Sequence, residues 1–428
     1  TAWGINGREA RENEVSKQTK IKSNKKRVNI FCVGYILVVF LLIFFEVKSN
    51  GSYLDEIIGL TSAGYLLFYR KNIQRYDIIT IIILFAVAVL GVISNLVSGL
   101  THNWFSICID LVSETKLLFA YFAVKYMFKV EEKQKIVNNL LPFAKLYTIL
   151  SFIFSVISLF ADIGMTGGER YGVKGFKFFF TFQLQYIAVY MLVFAILVFT
   201  NKMATTTRYF YYTIGLISLL SATKSPAIMF TIIFIGLSIY FKKHDKIKIW
   251  TILIGAVVIV LAGRFQIETY LIDKDSPRRI FFEYSFKTAN EYFPLGSGFA
   301  TYGSDQAARN YSPLYYLYGF DKIAGLTPDN PAFSSDTFWP MAIGQFGWVG
   351  SIMYFIVYLR VFFSMTKVKA TPQKKAYLYA AYLQHIINAI GSAILSSSAG
   401  MIGFLSIALV SQLAQDSSSQ DKRLKVRF

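Results

Sequence analysis

Cysteine and histidine are nearly missing from this chain: two cysteines, Cys32 and Cys108, and three histidines, His102, His244 and His385, in 428 residues. Each cysteine lies in or beside an apolar stretch, which excludes a disulfide framework. No Cys/His spacing suits zinc or haem, which leaves a metal held by carboxylates open on this ground; neither a metal nor a cofactor is expected. Charge is also scarce, with Asp, Glu, Lys and Arg at 16% of residues against about 25% in a soluble domain. Hydrophobic residues reach 54%, which excludes a disordered chain as well.

What charge there is has one dominant sign. Lys and Arg number 44 and Asp and Glu 25, a net +19, but the cations sit between hydrophobic runs, so nucleic acid is not the expected partner. A bilayer core of about 30 Å needs roughly 20 apolar residues per helix. Segments near 28–46, 77–98, 104–128, 141–161, 178–200, 226–241, 249–265 and 339–363 meet that need, with weaker ones near 53–69, 209–223, 376–395 and 397–414. The expectation is therefore an all-α, polytopic membrane protein of about twelve spans.

Lysines and arginines collect in alternate connections, as the positive-inside rule requires when no span is missed. Lys25 to Arg27, Arg70 and Lys71, Lys129 and Lys133, Lys202 and Arg208, Lys242 and Lys243, Lys374 and Lys375, and Lys422 to Arg427 fall on one side. This places both termini in the cytoplasm. Residues 1–27 lack the apolar core and cleavage site of a signal peptide and read as a basic tail. Spans one to nine occupy 28–265, an external loop 266–338, spans ten to twelve 339–414, and a second cytoplasmic tail 415–428. Within the loop, Ser276-Pro277 predicts a helix start running towards Tyr292. A second helical stretch is expected from Asp305 towards Tyr318, interrupted at Pro313.

The external segments hold few cations: Arg170, Lys174, Lys224, Arg264, Arg278 and Arg279. Arginine offers bidentate and lysine point-charge recognition of phosphate, which on an external membrane face suggests a lipid-linked substrate; pairing with Glu169, Asp273 or Asp275 is the alternative. Asp336 stands where the loop re-enters the membrane, as a candidate general base or a helix cap. Tyr302, Tyr315 and Tyr316 are candidate faces for sugar rings or for the membrane interface. Asp110 and Glu114, one turn apart within the fourth span, either line a polar path or pair with Lys116 or Lys125.

With these segments in view, the chain resembles the bacterial O-antigen and capsule polysaccharide polymerase family, relatives of the O-antigen ligases. Three places carry the resemblance: Gly168 to Phe176 with Arg170; Ser221 to Ala227, where the family usually has Arg and this chain has Lys224; and Arg278-Arg279 followed by Phe293-Pro294-Leu295-Gly296-Ser297-Gly298, Ser335-Asp336-Thr337 and Gly344 to Trp348. The resemblance implies a glycosyltransferase of the bacterial cytoplasmic (inner) membrane. It would join undecaprenyl-diphosphate-linked repeat units on the external face and release undecaprenyl diphosphate, with a chain-length regulator as a further candidate partner. Arg170, Lys224, Arg278 and Arg279 are then expected on the diphosphate and Asp336 on the acceptor hydroxyl. Ligases carry a His near the re-entry and this loop has none, so ligase is the second reading and a flippase the third.

Overall fold

The computed structural model describes residues 34–43, 53–69, 73–170, 172–245, 276–366 and 370–413, with isolated residues between 247 and 273. Both expected tails, Arg264, the ends of the first expected span and nearly all of the expected span at 249–265 lie outside the described residues.

The described chain is mostly helical. It runs through α1 (Gly34–Ile43), α2 (Leu54–Phe68), α3 (Arg75–Ser98), α4 (Trp104–Met127) and α5 (Val130–Phe160). A two-stranded antiparallel hairpin follows, β1 (Thr166–Arg170) with β2 (Val173–Phe176). Then come α6 (Gln183–Phe199), α7 (Thr205–Leu220), α8 (Ser225–Tyr240), α9 (Pro277–Glu291), α10 (Asp305–Arg309), α11 (Pro313–Leu317), α12 (Phe338–Thr366), α13 (Pro372–Asn388) and α14 (Ser398–Ser411). The mostly helical chain agrees with the all-α expectation; the short hairpin is a local addition where the sequence suggested only a loop, with Arg170 paired in register with Val173 and Glu169 with Lys174.

Three helices, α3, α5 and α12 as far as Met365, are long and apolar enough to cross a membrane. At about 1.5 Å per residue a 24-residue helix such as α3 spans roughly 36 Å, more than the hydrocarbon thickness. Along α3, Ile79, Ile82, Leu96 and Val97 are all more than half exposed, a stripe that suits hydrocarbon and not water. The helix α4 is equally long but carries Asp110, Glu114, Lys116 and Lys125. Helices α6 and α14 are apolar on all sides and buried along nearly their whole length, as helices at the centre of a bundle are.

The loop between α8 and α12 has a core of its own. Phe281, Tyr302, Leu314, Tyr315, Phe320 and Leu326 pack together, separate from the main helical core. Its first helix begins at Pro277 behind Ser276, and Pro313 separates α10 from α11, both as the sequence predicts.

A break in α12 ties this cap to the bundle. Gly347 leaves helical geometry at φ 58°, which strips two carbonyls of their helical partners. The Pro294–Phe299 segment supplies replacements: Ser297 N–H donates to Gly344 O at 3.0 Å and Gly298 N–H to Gln345 O at 2.9 Å. The two backbones touch, since a Cβ on Gly296, itself at φ 82°, would stand 2.2 Å from Gly347 N. On the other side, Asn95 of α3 both donates to Phe299 O and accepts from Phe299 N–H, each at 2.8 Å. Irregular backbone is thus held between α3 and α12 by hydrogen bonds to both.

Candidate functional site

Three of the four cations expected on phosphate come together at the loop end of the bundle. Arg170 closes β1, Lys224 is the residue before α8, and Arg278 stands in the first turn of α9. The hairpin is drawn to the α7–α8 turn by Phe176 N–H donating to Ser221 O at 2.8 Å. Gly175 permits this approach, because a Cβ there would stand 2.7 Å from Ala222 O. Burial first, then the positive charges of Arg170 and Arg278, hold the Lys224 ammonium below the ordinary lysine range. Lys224 also stands at the N-terminus of α8, where backbone N–H groups and the helix dipole favour an anion.

Arg278 is fixed from two sides. Its Nε donates to Asp336 Oδ2 at 2.7 Å and its Nη2 donates to the same oxygen, while its guanidinium lies 4.9 Å from the centre of the Phe333 ring. Burial pushes the Asp336 carboxyl up, and Arg278 pulls it part of the way back. Asp336 lies two residues before α12, so its carboxylate serves the arginine and not the helix N-terminus.

The adjacent Arg279 is turned elsewhere: its Nη1 donates to Ile272 O at 2.7 Å. The structure does not bring it to the other three. Tyr302 and Tyr315 are also corrected as sugar-binding faces, since both are fully buried in the cap. Tyr302 OH donates to Phe281 O, and Tyr315 OH accepts from Gly303 N–H at 2.9 Å. Tyr316 is 57% exposed and keeps a free face.

Beside the cations lies a cavity of about 560 Å³. Its wall includes Asp55 and Glu56 from the start of α2, Asp110, Glu114 and Lys116 from α4, Gln185 from α6, Asp305 and Arg309 from α10, and Ser335 and Thr337. The expected pairing of Asp110 or Glu114 with Lys116 or Lys125 does not occur. Lys116 Nζ lies 2.5 Å from Asp55 Oδ2 and 2.6 Å from Glu56 Oε1, and Lys125 Nζ lies 2.5 Å from Asp77 Oδ2. Asp110 Oδ2 instead accepts from Ala300 N–H at 2.5 Å and from Gln345 Nε2 at 2.9 Å, which fixes the cap's glycine-rich segment to α4.

The α2 acids were not anticipated as part of any site. The available signal was Asp55-Glu56 opening an apolar run, which reads first as a favourable helix N-terminus. Among the described residues no group of acids, cysteines or histidines is placed to hold a metal ion. Comparison with family models, with curated proteins and with solved structures finds no match.

Proposed function

We propose that the protein is a polysaccharide polymerase of a bacterial cytoplasmic membrane, a multi-pass chain of about twelve spans with both termini in the cytoplasm. It joins undecaprenyl-diphosphate-linked oligosaccharide units on the external face: the growing glycan leaves its lipid diphosphate and passes to a hydroxyl at the non-reducing end of a new unit. One observation carries the reading, the convergence of Arg170, Lys224 and Arg278 from three separate segments beside Asp336 at the edge of a polar cavity. Like charges gathered in a half-buried place suit a polyanion, and the diphosphate leaving group is one. Asp336 orients Arg278 in this scheme. No nucleotide is needed, because the donor already carries its leaving group.

The test is a glycan ladder from a deletion strain complemented with the wild-type chain or with Arg278→Ala, with membrane insertion checked for each. Collapse to a single repeat unit, restored by wild type and not by the variant, supports a polymerase. Loss of the single unit too would turn the reading to a ligase or a flippase.

A further inference from the structure

The cation cluster accounts for the leaving group and leaves the cavity beside it without a task. The charged groups of its wall are nearly all committed to structure. Asp55 and Glu56 hold Lys116, Asp305 Oδ2 lies 2.7 Å from Arg309 Nε, and Asp110 holds the cap. Glu114 differs: it is 3% exposed, it lines the cavity, and its Oε2 has no hydrogen-bonding partner. A buried carboxyl oxygen left without a partner costs about 1–3 kcal/mol, and groups of this kind are retained where a ligand, a water or a reaction makes use of them.

The wall is rich in acids and hydroxyls, which repels a second diphosphate and accepts hydrogen bonds from sugar hydroxyls. The volume falls within the range of about 300–1,000 Å³ usual for small-ligand pockets and admits a sugar ring or two. Ser335 and Thr337 line the cavity while Asp336 between them holds Arg278, so the cavity and the cation cluster share one segment of chain.

We propose that the cavity is the acceptor-sugar subsite of the transfer and that Glu114 is its catalytic base. The inference rests on the polymerase reading above. The acceptor hydroxyl oxygen forms a bond to the donor's anomeric carbon as the bond from that carbon to the diphosphate oxygen breaks. The electron pair of the broken bond leaves with the lipid diphosphate, and the hydroxyl proton passes to the Glu114 carboxylate. Asp336, held by Arg278, is a positioning residue for that arginine.

The full chain reconstituted in liposomes, supplied with lipid-linked repeat units purified from the deletion strain, measures extension and substrate retention separately. Glu114→Gln is expected to slow extension by about 100-fold or more, with substrate retained within about threefold and melting temperature in detergent not lowered. Glu114→Asp keeps a carboxylate and recovers at least a tenth of the wild-type rate. Extension by Glu114→Gln within threefold of wild type, or equal rates for the Gln and Asp variants, overturns the proposal while leaving the polymerase reading intact. A wild-type chain that extends nothing overturns both.

Discussion

Two charged regions meet at Ser335–Thr337, and they are built on opposite plans. In the cavity, Lys116 sits between Asp55 and Glu56 at ion-pair distance, all three held between α2 and α4. In the cation cluster, Lys224 lies within the repulsive fields of Arg170 and Arg278, and Asp336 is held against Arg278. Buried opposite charges in contact are how a helical bundle tolerates ionisable groups in its interior. Charges of one sign brought together by three segments are a cost to the fold, and such costs collect where a ligand is to relieve them. The difference separates charges neutralised in contact from charges gathered with others of their own sign.

The largest effect is expected at Arg278. Alanine there removes a charge-assisted contact worth about 1.5–3 kcal/mol and releases Asp336 into the site proposed for the diphosphate. Polymer synthesis should fall by about 100-fold, read from ladder intensity at equal membrane insertion. The neighbouring Arg279→Ala removes a bond to Ile272 O and should cost less than about fivefold. Equal losses for the two would show that the direction each side chain takes does not matter, and would break the distinction between cluster and scaffold.

Stability should order the two regions the other way. Lys116→Met leaves Asp55 and Glu56 buried without their cation, and breaking a buried pair costs about 3–5 kcal/mol. Lys224→Met removes a half-buried ammonium that burial and two arginines already disfavour, so the melting temperature in detergent should hold or rise while activity falls. A destabilised Lys224→Met with a stable Lys116→Met would reverse the assignment of roles.

The sequence carried the outlines of this arrangement unevenly. Helix positions followed from apolar runs, and the cap's two helix starts followed from Ser276-Pro277 and Pro313, because local rules govern them. The break in α12 was not legible, since Gly347 within an apolar run reads as an ordinary helical glycine until the Gly296 backbone is seen against it. Alternation of charge singled out Arg170, Lys224 and Arg278, but the same reasoning could not tell Arg278 from Arg279. Neighbours on a helix point about 100° apart, and only the tertiary setting decides which faces the site. Tyrosines chosen for their exposure to sugar failed for a related reason: the cap needed Tyr302 and Tyr315 for its own core.

The smallest effect is a pH dependence that belongs to one side of the comparison. In the free protein Lys224 binds its proton less tightly than in the unfolded chain, because burial and then Arg170 and Arg278 disfavour the charge. Between that lowered value and the ordinary one, the unfolded chain holds the extra proton, so stability rises with pH across the window and falls as pH is lowered through it. A bound diphosphate restores the lysine's affinity for its proton, so above the lowered value binding takes a proton up. Affinity for a short isoprenyl diphosphate, whose own last ionisation lies near about pH 6, should therefore decline as pH rises through the depressed value, earlier than an ordinary lysine would titrate. Lys224→Arg keeps its charge throughout and should flatten the decline. A wild-type affinity that stays level up to the ordinary lysine range would mean that Lys224 does not meet the anion, and would leave the arginines as the whole of the cluster.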